Sequence, residues 1–435
     1  MNKNKTCWIA AIASGVILMG SKTIYADVSS AETVSTEVEL TNKQKSKVIS
    51  NLATALKENY VLIDEGKIIG EQLIKLDNSA EFDPYQTRAE FLNELNLNLR
   101  KLANDLHLQV QSTRGERRRM RGDSSLAVEA SILDGNVGLL TVNMLMGTEK
   151  DIHNSMRELA STDGLIIDVR RCPGGDFNIV SALVSHFLPE DETIITYYTR
   201  GRDPDVNKSH LPNGLSRYQG KPVYVVTSGS TGSGCEELSF DLKYHNLGFT
   251  IGETTAGAGF GLAGEPSNLG NGFAAFIPDT NPVHPKYDGG FEKVGVNPDI
   301  QTNSLIALDE AYQLILSQIY QADPNNQIVK QSLLESSLKS SAAMIKQAEN
   351  NRINRGYVGQ YSDNKTILLD QGQLKLGGAA GMLLVLESRE KDLFSIRFTP
   401  GQMLKINRNK KEKIISISIS SPQQKDWKTY DKLEN

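Results

Sequence analysis

Cysteine is scarce in this chain, with three residues among 435. So few exclude a small scaffold in which cross-links stand in for a hydrophobic core. Tryptophan occurs twice and proline fourteen times, which excludes a Pro-rich or low-complexity chain. Neither sign of charge dominates: 47 Lys and Arg face 52 Asp and Glu, for a net charge of −5, and this argues against nucleic acid as a partner. Past the first residues no apolar run is long enough to span a bilayer. His, Cys, Asp and Glu show none of the usual metal-ligand spacings, so neither a metal nor another cofactor is expected. What remains is a hydrophobic content of 39% with 23% charged residues, the mixture of an ordinary globular protein with room for two or three domains.

The exception is the start, "MNKNKTCWIAAIASGVILMGSKTIYADVSS". Lys3 and Lys5 precede an apolar run from Trp8 to Met19, and Ala26 offers a small residue before Asp27. This is the pattern of a secretory signal over residues 1–26; a membrane anchor or a buried helix is the alternative. An exported protein is expected (periplasmic, cell-envelope or secreted), with no stable membrane span once the signal is removed. Cys7 would leave with it.

Residues 27–125 form the first expected domain, polar and without structure to about residue 46 and helical from 47 to 108. Val48, Leu52, Leu56 and Tyr60 share one helical face, and Phe91, Leu92, Leu95, Leu99 and Leu102 continue the pattern. The charge run "STRGERRRMRGD" over 112–123 reads as a loop. Over 126–322 apolar, β-branched segments ("NVGLLTVNML", "GLIIDVR", "KPVYVVTS", "LGFTIGET") alternate with segments of helical spacing. That alternation predicts crossover units and a mostly parallel sheet. Residues 323–355 read as a helical linker. Residues 356–435 carry short strands split by turn residues and read as a small all-β domain.

In a parallel α/β sheet, ligands bind beyond the carboxyl ends of the strands. Two loops there have unusual composition. "RCPGGD" brings Gly174 and Gly175, whose backbone can approach a ligand closely. "TSGSTGSGCEEL" places Ser233 where a strand gives way to a helix, with the amide of Gly234 and the helix N-terminus behind it to favour a developing negative charge. From local sequence alone the same stretch reads more readily as a Ser-x-x-Glu capping box ending at Glu236. A serine nucleophile needs a base. Of the six histidines, His107 ends the helical unit, where it could simply complement a helix dipole. His284 is a lesser candidate on a loop, His245 reads as an exposed helix position, and His153, His186 and His210 have no telling context.

Taken in order, "GLIIDVRRCPGGD", "VTSGSTGSGCEELSFDLK", "IGETTAGAG" and "FEKVGVNPDI" resemble the C-terminal-processing and tricorn family of serine peptidases. "LRKLANDLHLQV" is similar to the branch related to interphotoreceptor retinoid-binding protein. The resemblance covers roughly residues 47–315 and implies a crotonase-like or ClpP-like layered α/β catalytic domain. Asp168, Arg170, Cys172, Gly174 and Gly175 match one family motif, with cysteine in place of asparagine; Ser233, Gly234, Cys235 and Glu236 match the nucleophile motif. The processing branch's lysine base would fall on Ala258, so a serine–lysine dyad is absent. The tricorn-like branch implies instead His107 after Asp105 as base, with Glu292 as the supporting acid. Tricorn's serine before its histidine is here Leu106.

The implied activity is hydrolysis of peptide bonds in a peptide or protein substrate: Ser233 attacks, His107 moves the proton, Glu292 orients, and the amides of Gly234 with Gly174 or Gly175 hold the oxyanion. Cys172 and Cys235 both border that site. A disulfide between them and a pair of buried free thiols both remain open. Two other functions are compatible with the same residues, a non-catalytic module for apolar ligands and a small-substrate esterase or amidase. The sequence does not fix an oligomeric state.

Overall fold

The computed structural model describes residues 39–113, 127–363, 365–370, 373–377, 383–396, 401–420 and 426–433. The expected signal and the charge run from 114 onward lie outside the described residues.

Helix α1 (Asn42–Asn59) starts inside the stretch expected to lack structure. The cause is local: Thr41 and Gln44 form a reciprocal capping box, which satisfies amides a helix start leaves open. Helices α2 (Ile63–Asn78) and α3 (Arg88–Ala103) follow, the latter capped in the same way by Thr87 and Glu90. Val48, Leu52, Leu56, Phe91, Leu95 and Leu99 are fully buried together, each contributing roughly 2 kcal/mol of apolar burial. This lobe is not self-contained. Strand β1 (Gln109–Ser112) leaves it to pair with residues far along the chain, and Leu269, Phe273 and Ala275 complete its core.

The central region runs β2 (Val128–Leu133), β3 (Val137–Val142), α4 (Glu149–Leu159), β4 (Gly164–Asp168), α5 (Phe177–Val184), β5 (Thr193–Thr199), β6 (Asp205–Lys208), β7 (Val223–Thr227), α6 (Gly234–Tyr244), β8 (Phe249–Gly252), β9 (Ser267–Gly270), β10 (Phe273–Phe276), β11 (Thr280–Val283), β12 (Ile300–Gln301) and α7 (Ala307–Ala322). Its main sheet has the order β12-β8-β7-β4-β3-β2. All neighbours are parallel except β2 with β3. Leu165 and Ile167 of β4 pack with α4 and α5, while Ile166 between them packs with α7. A strand covered on both faces needs apolar residues at every position, which is why "GLIID" shows no alternation. Two smaller antiparallel sheets, β1-β10-β9 and β11-β5-β6, flank it.

Helix α8 (Gln327–Asn354) leads to a meander of eight antiparallel strands, β13 (Gly359–Tyr361) to β20 (Trp427–Asp431). A bridge between Tyr361 and Lys432 joins its first strand to the residues after its last. Layered α/β region, helical N-terminal lobe and all-β C-terminal unit are therefore the architecture expected from the sequence. No helix among the described residues is long and apolar enough to cross a membrane.

Candidate active site

Strands β4 and β7 are neighbours, so the loops leaving their carboxyl ends emerge side by side and bond to each other. Ser228 Oγ donates to the Arg170 carbonyl at 2.7 Å, Thr231 Oγ1 to that of Val169 at 2.9 Å, and Gly232 N–H to that of Cys172 at 3.0 Å. A disulfide joins Cys172 to Cys235, with Cα atoms 6.1 Å apart; of the two readings left open, the structure has the bonded one. Asp168 and Arg170 pair within the first loop at 2.7 Å, and Arg170 also reaches the Ser304 carbonyl.

Ser233 stands at the turn into α6 with φ 50° and ψ −126°, a backbone region L-residues rarely adopt and one that marks functional turns. The capping-box arrangement is there, but only half of it closes as a hydrogen bond. Ser233 N–H donates to Glu236 Oε2 at 2.9 Å, whereas the serine hydroxyl makes no cap hydrogen bond. Gly174 faces it with φ +132°; a Cβ there would sit 2.6 Å from Ser233 Cβ, so only glycine fits. Gly175, at φ +150°, is pressed against the Leu145 carbonyl. Among the described residues, the amides of Gly174, Gly175 and Gly234 donate no backbone hydrogen bond. Backbone amides without backbone partners near a hydroxyl are the kind of donor an oxyanion site draws on.

Glu236 is fully buried. It accepts from Thr255 Oγ1 at 2.5 Å, Gly257 N–H at 2.6 Å and Ala258 N–H at 2.8 Å. Burial pushes its carboxyl above the ordinary range while these donors pull it back. The next two amides, Gly259 and Phe260, donate to Glu292 Oε2 at 2.6 and 2.9 Å. Two glutamates therefore hold the loop 257–260 from both ends. Glu292 Oε1 is buried without a hydrogen bond, and burial lifts this carboxyl to about 7.

Ser233 lines a small cavity of about 10 Å³, room for about one water molecule, with Phe177, Tyr197, Glu237, Phe260, Pro282 and Phe291 among its walls. Ala258, where a lysine base would have been, is also a wall residue. His107 is not. It lies past the end of α3, in a bend fixed by Asp105, whose carboxylate accepts from the His107 and Leu108 amides at 2.8 and 3.2 Å and from Tyr60 OH at 2.9 Å. The Phe260 backbone faces its imidazole, so one residue, Phe260, separates the histidine from the serine's cavity. His107 Nδ1 is buried without a partner. Burial holds the ring below its ordinary value, with Asp105 opposing. No hydrogen bond links His107 to Ser233 or to Glu292.

The other histidines have partners elsewhere. His245, read as exposed, is buried: Nε2 lies 2.9 Å from the Ile194 carbonyl and its ring packs on His284. It follows α6 on the side that meets β5, not the solvent side. His153 and His186 pair at 2.9 Å, and His210 meets Glu190.

Sequence reasoning missed Glu237, Asp241 and Tyr197. Both acids are buried on α6, and Tyr197 OH donates to Glu237 Oε1 at 2.5 Å. For the two acids the available signal was their spacing of four residues in "EELSFDL", interleaved with Leu238, Phe240 and Leu242. Among the described residues no group of three or more His, Cys, Asp or Glu could hold a metal ion.

Residues 136–302 match peptidase family S41, and residues 29–134 match the N-terminal domain of Peptidase_S41 in eukaryotic IRBP. The carboxy-terminal processing protease CtpB of Bacillus subtilis (strain 168) is 26% identical over 216 residues, 48% of this chain and 42% of that protein. The chain thus spans under half the length of this curated relative. Among solved structures, a photosystem II D1 C-terminal processing protease aligns with a TM-score of 0.44 at 16% identity, covering 60% of this chain and 94% of that one. A lipoprotein from Streptococcus agalactiae aligns with a TM-score of 0.46 at 18% identity, covering 65% and 98%.

Proposed function

The chain belongs to peptidase family S41, and on that premise we propose that it is a serine peptidase with Ser233 as nucleophile. One observation carries this reading: a serine held at φ 50° opens onto a cavity beside three amides that donate no backbone hydrogen bond. In this reading Ser233 Oγ attacks the scissile carbonyl carbon. The amide of Gly234, with that of Gly174 or Gly175, receives the oxyanion, each donor contributing roughly 10²–10³ in rate. His107, uncharged at neutral pH because burial lowers its affinity for protons, takes the serine proton and returns it to the leaving amine. The imidazole must first close on Ser233, a tightening that catalytic hydrogen bonds commonly undergo when substrate binds. Glu292 acts through the loop it holds, fixing Phe260 between histidine and cavity.

The substrate is a peptide or protein, and nucleic acid is no partner. Residues 1–26 serve as an export signal for a periplasmic, cell-envelope or secreted enzyme; the Cys172–Cys235 bond suits an oxidising compartment. The working units are 27–125, 126–322, 323–355 and 356–435. A carrier of apolar ligands is the competing reading, and the missing Ser233–His107 hydrogen bond favours it. Against it stand a carboxyl group in the cavity wall and the unbonded amides.

Ser233→Ala and His107→Ala test the proposal. Each is expected to lower kcat on a cleaved peptide by on the order of 10⁴–10⁶-fold while thermal unfolding stays unchanged. Full activity in either variant removes that residue from the mechanism, and an ester panel run alongside separates peptidase from esterase.

A further inference from the structure

Behind the serine turn lies a buried polar network that the proposed chemistry does not use. Its centre is Ser304, 2% exposed, between β12 and α7. All three of its polar groups are engaged. The amide donates to Glu253 Oε1 at 3.0 Å, the carbonyl accepts from Arg170 Nη1 at 2.7 Å, and the hydroxyl oxygen accepts from Gln373 Nε2 at 2.8 Å. Two of these partners hold the site's loops. Arg170 belongs to the loop that brings Gly174 and Gly175, where a two-point pair with Asp168 fixes it. Glu253 Oε2 accepts at 3.2 Å from the amide of Gly229, in the turn that ends at Ser233. Ser228 Oγ, on the Arg170 carbonyl, ties the two loops to each other. A displacement of Ser304 therefore reaches both halves of the site, the hydroxyl and the amides across from it.

The third partner comes from outside the α/β region. Gln373 opens strand β15 (Gln373–Gly377) of the C-terminal unit. Leu374 and Leu376 point into that unit's own core, so Gln373 and Lys375 lie on the opposite face of the strand. Lysine is among the residues least often buried. Lys375 is nonetheless only 8% exposed, and a Cβ on Gly229 would stand 3.6 Å from its Nζ. This face is docked on the back of the serine turn, and the Gln373–Ser304 bond is sealed within the contact. Buried polar networks whose members are satisfied hold geometry more than they add stability.

We propose that Gln373 is a positioning residue for the serine: acting through the Ser304 hydroxyl on Arg170 and Glu253, it aligns Ser233 with the amides of Gly174, Gly175 and Gly234. The C-terminal unit thereby takes part in catalysis without touching substrate. The inference rests on Ser233 being the nucleophile.

The test follows the labelling of Ser233 by a fluorophosphonate on the full chain, with the labelled residue identified by mass spectrometry. Gln373→Ala and Ser304→Ala each remove one end of the bond, and Ser304→Ala keeps that residue's amide and carbonyl. Each is expected to slow labelling about three- to tenfold, a fraction of what a misplaced reacting group can cost, while the end-point of labelling stays full. The double variant is expected to be no slower than the slower single one, since both changes act through one bond. A wild-type rate in either single variant overturns the inference. So do losses that multiply in the double variant, and so does a lowered end-point at an unchanged rate, which marks partial unfolding rather than misalignment. Should Gln373→Ala fail to fold, Ser304→Ala decides alone by its rate. A wild-type chain that takes no label at Ser233 overturns the nucleophile assignment, and this inference falls with it.

Discussion

The side of α6 that meets residues 255–260 and the side that meets β5 treat buried carboxyl groups in opposite ways. Glu236 accepts from four donors and fixes both the serine turn and the loop across from it. Glu237, one residue on, has a single donor, and Asp241 has none. Both sides are equally closed to water, so burial does not separate them; the supply of hydrogen-bond donors does. A saturated acid is a structural clamp, whereas burial makes a starved acid hold its proton more tightly.

The contrast can be broken by experiment. The largest effect is expected on the saturated side. Glu236→Ala strips acceptors from three amides and a hydroxyl and should cost about 3–5 kcal/mol in urea unfolding; a cost under about 1 kcal/mol would mean the clamp is ornamental. Next comes the covalent tie beside it. Replacing Cys172 and Cys235 together by serine frees a loop of sequence separation 63 and should lower stability by about 2–4 kcal/mol, with the same loss when the natural protein is reduced. The smallest effect lies on the starved side and appears as a slope. Glu237 titrates near 7 in the folded protein against an ordinary 4.5. Between those values the folded state keeps a proton that the unfolded chain has released, so stability falls as pH rises through this window. Glu237→Gln should flatten that fall between pH 5 and pH 7, with Glu292, also near 7, sustaining what remains. An unchanged slope would show that Glu237 is ionised throughout.

How much of this was readable beforehand varies with the range of the interactions. Strands β3, β4, β7 and β8 were visible because a sheet covered on both faces writes continuous apolar runs. Ser233, Gly174 and Gly175 stood out through turn composition at strand ends. Strands β5, β6, β9 and β11 were missed; they belong to the two small antiparallel sheets beside the main one, where strand preference depends most on context. The core of the helical lobe was half hidden, since Leu269, Phe273 and Ala275 arrive from beyond the serine in sequence. Glu237 and Asp241 escaped because acids spaced four apart on a helix ordinarily mark its wet face; only the tertiary packing of β5 reverses that. For the same reason His245 was placed in solvent.

The C-terminal unit reaches the serine turn from behind. Gln373 of strand β15 (Gln373–Gly377) donates to Ser304 Oγ at 2.8 Å, and a Cβ on Gly229 would come within 3.6 Å of Lys375 Nζ and 3.8 Å of Glu253 Oε2. Glu253 in turn accepts from the Gly229 and Ser304 amides. A ribosome delivers Gly229 long before it delivers Lys375. During synthesis, then, the turn spends an interval without one of its neighbours, and a chain cut short before the barrel would stay in that unfinished condition for good.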